Sequence, residues 1–427
     1  MKNKKPCYRI ALCFFSALIF FCTLPLGAET FVFKEKKGSM QRTISTSNEE
    51  VFINGELQYK TKILNRMTSE VTDYKNSTAQ FKAVFTLAEE HFSTDTTSGE
   101  QSAPTFQWSE EYKSVFSRTN LGKLTIGKNV VMPTIRDVPL FPQRDIKVGE
   151  SWTAPGMEVH DLSNSFPIKE LFKIPFVAKY TYLGDKTWRG KTYKAISITY
   201  NAEQGTDQYF EDDPRNTMLL KPVDVYKPVK VVVYSNQIML WDIELGQPVA
   251  AEDQFQIAFK MSDGTVYEFR GTAESEIIES EQMDKEDVLH DLEQKIKDAG
   301  IENATVKVVD DGVSISIENI QFGADSAFLE NSEKEKLDKL GIILRTYPNR
   351  DILVNGHAAL AGGTEESRLK LSQERAGAVA AYLIKNNVRT KEHVMVRGWG
   401  SSKPVADNRS DAGRQKNRRV EITILEN

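Results

Sequence analysis

The 427-residue chain is poor in cysteine, and its three cysteines, Cys7, Cys13 and Cys22, all lie near the amino terminus. Beyond them there is no thiol, which excludes cysteine nucleophiles, disulfides and cysteine-held metals from the rest of the chain. The five histidines, His91, His160, His290, His357 and His393, are scattered without an H-x-x-x-H pair, so zinc-site spacing is missing. Positive charge is not in excess: 55 Lys+Arg stand against 60 Asp+Glu, which leaves no electrostatic footprint for nucleic acid. After residue 24 no apolar run approaches the ~18 residues of a spanning helix. A G-x-S-x-G elbow, a P-loop and a dinucleotide fingerprint are absent as well. Carboxylate pairs such as Asp212-Asp213 are common, but without a cleft they assign no general acid or base. The sequence therefore offers no catalytic residue, cofactor or metal ligand, and it reads as non-enzymatic.

What is present begins with Lys2, Lys4, Lys5 and Arg9, followed by an apolar run over residues 10–24 that closes at Leu26-Gly27-Ala28. A basic start, a short apolar run and small residues at the end predict a secretory signal peptide over residues 1–28. The run is short of the ~20 residues a spanning helix needs, and retention as an anchor is the open alternative. Removing those four cations from the 55 leaves 51 basic against 60 acidic residues, net −9, and no cysteine. The expected location is the periplasm, free or attached to the outer membrane.

Two regimes follow. Phrases such as Gln80-Phe-Lys-Ala-Val-Phe85, Val177-Ala-Lys-Tyr-Thr-Tyr182, Ala195-Ile-Ser-Ile-Thr-Tyr200 and Gln254-Phe-Gln-Ile-Ala-Phe259 alternate with period two. Turn signals stand between them at Asn54-Gly55, Gly184-Asp185, Arg189-Gly190 and Ser262-Asp263-Gly264. Short turns between alternating runs predict antiparallel β modules over 29–150 and 151–280, separate or continuous, with residues 138–152 as a linker. From residue 281 the period becomes helical. Val288, Leu289, Leu292 and Ile296 form a stripe stopped at Gly300; Ser332-Glu-Lys-Glu335 reads as a capping box; Thr364 caps a further helix. Strands at Ile352-Leu-Val354, Val394-Met-Val396 and Val420-Glu-Ile-Thr-Ile-Leu425 alternate with these helices. The fold class is α+β and multidomain: an antiparallel all-β region, then an α/β sandwich with a mixed sheet.

Ordered phrases in the last part of the chain carry more. They are Ile320-Gln-Phe322 with Ser326-Ala327, Gly356-His357, Leu371-Ser-Gln-Glu-Arg-Ala376, Val396-Arg-Gly-Trp-Gly400 and Asn408-Arg-Ser-Asp-Ala-Gly-Arg414 running on to Asn417-Arg-Arg-Val-Glu-Ile422. Together, over about residues 313–427 of a domain placed at 281–427, they resemble the OmpA-like peptidoglycan-associating domain. The resemblance implies a non-catalytic tether that holds the diamino acid of a peptidoglycan stem peptide, with an Asp for its ammonium and an Arg for its carboxylate. The Arg falls on Arg375, whose guanidinium can hold a carboxylate through two parallel bonds. Gly356, His357 and Leu371 frame the implied pocket. The family's Gly-His-Thr-Asp, however, reads Gly356-His357-Ala358-Ala359 here, and its Asn position is Arg368. Losing a charged partner costs about 1.5–3 kcal/mol, roughly ten- to hundredfold in affinity. Seven residues apart, Arg368 and Arg375 share a helix face.

Three readings stay open: wall binding is weak or lost, Glu365 or Glu366 substitutes for the missing acid, or the pocket is retuned for an anionic partner. His357, after a buried strand, is expected to be a hydrogen-bonded structural residue. The basic cluster Arg409, Arg414, Lys416, Arg418 and Arg419 is interleaved with Asp407, Asp411 and Glu421 and is expected to be a solvated or mutually paired surface. Expected partners are the stem peptide, another envelope protein, or a lipid. The last two would use the β region, which would then act as a lipid or lipoprotein carrier. No nucleic acid is expected.

Overall fold

A computed structural model describes residues 27–93, 106–163, 170–206, 226–280, 283–318 and 329–426. The leader through residue 26, the phrases Ile320-Gln-Phe322 and Ser326-Ala327, and Asp212-Asp213 lie outside the described residues, as does the side chain of His91.

The short alternating phrases turn out to be the middles of much longer strands. Four run Met40–Ile53, Glu56–Lys75, Thr78–Ser93 and Phe106–Thr119; six more run Ser151–His160, Phe172–Trp188, Lys191–Gly205, Pro228–Asp242, Gln247–Met261 and Val266–Ser280. Within each set every strand pairs antiparallel with the next. The last strand returns to the first, Glu274 opposite Thr46, so both sets form one sheet. Asn54-Gly55 and Arg189-Gly190 both take positive φ at two successive residues, the geometry that joins twisted strands by a two-residue turn.

The sheet rolls on itself. Ile135 and Arg136 pair with Glu158 and Met157, while the nearby Met132 carbonyl accepts from Ser114 Oγ at 2.7 Å. The segment around residues 132–136 therefore bridges the two ends of the ladder. Part of the interior is filled by aromatic rings: Trp241 meets Phe33 at 4.9 Å and Phe141 at 4.8 Å edge-on, and Trp152 stacks on Tyr180 at 5.0 Å.

Three local expectations need correcting. Residues 138–152 are core rather than linker, because Phe141, Ile146 and Trp152 are buried in that aromatic cluster. Gly184-Asp185 is no turn: it lies within Phe172–Trp188, where the register shifts between Tyr182 and Gly184, as a bulge does. The box at Ser332 does not form. Its helix starts at Asn331 behind Glu330, without a side-chain cap bond.

The carboxy-terminal part has helices α1 (Lys285–Asp298), α2 (Asn331–Leu344), α3 (Glu365–Lys385) and α4 (Asp411–Asn417). Among the described residues no helix is long and apolar enough to cross a membrane. Its strands are ordered Ala304–Val309, Gly312–Glu318, Arg419–Leu425, Ile352–Gly356 and Val394–Gly398. The last pair, joined through α3, is parallel and the others are antiparallel, which makes the expected mixed sheet. Leu292, Ile296, Leu337, Leu340, Val379 and Leu383 bury the helical stripes against it. The two sheets meet where Met395 and Val396 pair parallel with Phe106 and Gln107, beside an apolar contact of Leu64 and Ala88 with Leu353, Met395 and Leu425.

Candidate functional site

The site grows from the ends of two parallel strands. Past Gly356 the chain runs beside the turn that follows Gly398: Trp399 N donates to Gly356 O at 2.9 Å and Ala358 N to Gly400 O at 2.8 Å. Helix α3 presses on both strand ends. A Cβ on Gly356 would lie 2.0 Å from Ser372 O, and one on Gly398 would lie 2.7 Å from Gln373 N. Those glycines are needed for close approach. Ser372, buried, donates to Leu369 O and receives Gly400 N at 2.9 Å, which fixes the turn to the helix.

Ahead of α3 the loop turns through Gly362 and Gly363, both at positive φ. Thr364 then caps the helix, and its side chain and that of Ser367 each receive the other's backbone N–H. The Arg368 guanidinium folds back over this loop. Its Nη1 donates to Gly362 O at 2.7 Å and to Gly363 O at 2.9 Å. Its Nε reaches Ser401 Oγ at 3.1 Å, and its Nη2 reaches Glu365 Oε2 at 2.9 Å. Glu365 also accepts Ser401 Oγ at 2.6 Å and Ser401 N at 3.1 Å. The Ser401 hydroxyl first, then the Arg368 guanidinium, holds the Glu365 carboxyl below its usual range. Arg368 thus brings its own counter-charge, and both groups are used in closing the loop.

Ala359 is buried with Ala358, and at the next residue Leu360 N donates to Asn408 Oδ1 at 3.0 Å. That same oxygen receives Asn417 Nδ2 at 2.9 Å, so α4 anchors the loop. Arg375 and Leu371 are half-buried on α3, and Glu366 is exposed in its first turn. His357 is buried as expected, but its bonding differs from expectation. Its ring nitrogens hydrogen-bond to no described residue, and Nε2 stands 3.7 Å from Glu421 Oε2. Burial keeps the ring's affinity for a proton low. Three members of the basic cluster pair with its acids: Arg409 with Asp407 at 3.0 Å, Arg414 with Asp411, and Arg419 with Glu421 at 2.8 Å. Ser401 and Asn408 escaped the sequence reading of the pocket. Asn408 stood within a matching phrase, whereas Ser401 carried no signal.

Residues 321–418 match the OmpA family. The carboxy-terminal region is therefore an OmpA-like domain, and the resemblance seen in its phrases holds. Peptidoglycan-binding protein ArfA of Mycobacterium tuberculosis is 37% identical over 105 residues, covering 25% of this chain and 32% of that one. The probable lipoprotein YiaD of Escherichia coli is 34% identical over 106 residues, 25% of this chain and 48% of that one. Motility protein B of Bacillus subtilis is 30% identical over 151 residues, 34% of this chain and 58% of that one. The chain spans about a third to somewhat over half the length of these relatives. With a lipoprotein and outer membrane porins among its relatives, it is a cell-envelope protein of the periplasm or outer membrane.

Proposed function

We propose that this is a non-catalytic envelope protein whose OmpA-like domain has given up ordinary capture of the peptidoglycan diamino acid. The observation that carries the reading is the pairing of a buried Ala359 with a committed Glu365. Where the family places an acid for the stem-peptide ammonium there is a methyl group, and of the two candidate substitutes Glu365 is bonded to Arg368 and Ser401. Arg375, half-buried on α3, is the residue that the family resemblance assigns to the stem-peptide carboxylate. In the proposed organisation, residues 1–28 are an export signal, 29–150 and 151–280 form one continuous β domain, and 281–427 form the OmpA-like domain.

The experiment is co-sedimentation of the full chain with purified peptidoglycan, beside the Ala359→Asp, Arg368→Asn double variant. Weak sedimentation of the natural chain and a gain of ten- to hundredfold in the variant is the expected result. Tight sedimentation of the natural chain, unchanged in the variant, would overturn the proposal and point to Glu366 as the substitute acid.

A further inference from the structure

The rolled β-sheet lines a partly open cavity of about 580 Å³, within the range of roughly 300–1,000 Å³ typical of small-molecule sites. Strand alternation decides what faces it. On Met40–Ile53 the odd positions Thr43, Ser45, Ser47 and Glu49 line the cavity, whereas Arg42 reaches Asp351 of the OmpA-like domain. Neighbouring strands supply an apolar wall of Ile63, Met67, Phe85, Leu87, Ile135 and Ile257. The same space also holds three carboxylates, Glu49, Glu158 and Asp253. Among the described lining residues there is no lysine, and the only arginine, Arg66, turns its guanidinium to Asp351.

Two of these acids, Glu158 and Asp253, are held in place. Tyr200 Oη donates to Glu158 Oε1 at 2.7 Å, and His160 Nε2 stands 2.9 Å from its other oxygen. Ser235 Oγ donates to Asp253 at 2.8 Å. Burial pushes the Asp253 carboxyl up, and the Glu158 charge adds to that. Burial, then the neighbouring Glu89, pushes Glu49 up to about 7. Like charges gathered in a low-dielectric space repel unless a cation joins them. The Thr43 hydroxyl, also on this wall, is buried and bonds to no described residue.

We propose that the lumen binds an amphipathic cation, its apolar body against Ile63, Met67, Phe85 and Ile257 and its ammonium among Glu49, Glu158 and Asp253. An anionic lipid would meet three acids of its own sign, so the carrier reading of the β region narrows to cationic cargo. The inference stands apart from the pocket of the OmpA-like domain, and neither depends on the other.

Isothermal titration calorimetry of the full chain tests it, with decyltrimethylammonium, decyl sulfate and decyl maltoside, each below its micelle concentration. The cation is expected to bind one-to-one and at least tenfold tighter than either other probe. The Glu49→Gln, Asp253→Asn variant is expected to lose that preference while still taking up the maltoside as the natural chain does. No saturable binding of the cation, binding of decyl sulfate as tight or tighter, or an unchanged preference in the variant would each overturn the proposal. Should the double variant fail to fold, the isosteric Asp253→Asn change alone is to lower the cation's advantage at least threefold, and no change there counts against the lumen.

Discussion

Asp351, fully buried, receives Arg42 Nη1 at 3.2 Å and so links the OmpA-like domain to the rolled sheet. Arg66 lies against the same carboxylate, and His393 Nδ1 stands 2.5 Å from its other oxygen. Removing one member of such a group leaves buried charge uncompensated, which costs about 3–5 kcal/mol. Asp351→Asn is therefore expected to lower stability by that amount. Urea unfolding followed by tryptophan fluorescence, with the near-ultraviolet spectrum as a check on the native state, reads it out. A change under about 1 kcal/mol would mean that the two regions are not joined through this cluster.

Arg368 works on its own loop. Its bonds to Gly362 O, Gly363 O and Ser401 tie the loop ahead of α3 and the turn at Ser401 to the helix. Arg368→Ala is expected to cost only about 1–3 kcal/mol and to act locally. Amide exchange at residues 360–364 and 401 should quicken at least tenfold, while that of Ile352–Gly356 stays slow. Equal acceleration in both places would show that Arg368 supports the whole domain.

How far the sequence could be read depended on what each residue faces. The OmpA-like domain was legible because its apolar residues follow one helical stripe and its caps are local: Thr364 and Ser367 are three residues apart. The rolled sheet was legible only in its middle. Phrases such as Ala195–Tyr200 are apolar because they pack in the aromatic core, whereas Thr43, Ser45 and Ser47 face a cavity and look like solvent-facing positions. Residues 138–152 read as a linker because prolines and charges separate the few rings that are buried. At the site, Glu365 and Arg368 have the i,i+3 spacing of a helical ion pair. Their common attachment to Ser401 joins positions more than thirty residues apart, and no local pattern announces that.

The strand ends beneath the site leave no room for a side chain. A Cβ at Gly356 would lie 2.0 Å from Ser372 O and 3.2 Å from Ala376 Cβ, so α3 must move if one is added. Gly356→Ala is expected to destabilise the domain by about 1–3 kcal/mol or more, as overpacking does. Gly205→Ala is the control: nothing stands within 4 Å of its Cβ, and its effect should stay within about 0.5 kcal/mol. Thermal unfolding of the two variants side by side makes the comparison. Equal shifts would mean that α3 does not press on the strand.

Glu421 gives the protein an acid-sensitive point. Burial alone would push its carboxyl up, but the His357 ring at 3.7 Å and the Arg419 guanidinium at 2.8 Å outweigh that and hold it well below the usual carboxylate range. Lys307 Nζ, at 3.0 Å, is a second cation beside Arg419. A carboxyl depressed in the folded state contributes stability that is complete above its unfolded value of about 4.3 and is lost as pH falls from there toward the folded value. Stability should therefore be level with respect to this group at neutral pH and decline below about pH 4.3. Glu421→Gln removes that share of the decline and, at pH 7, leaves the buried Arg419 without its partner at a cost of about 3–5 kcal/mol. Urea midpoints at pH 7, 5 and 3 distinguish the outcomes: the gap between natural and variant chains should be widest at pH 7 and narrowest at pH 3. A gap that is constant with pH would show that Glu421 does not carry its charge in the fold.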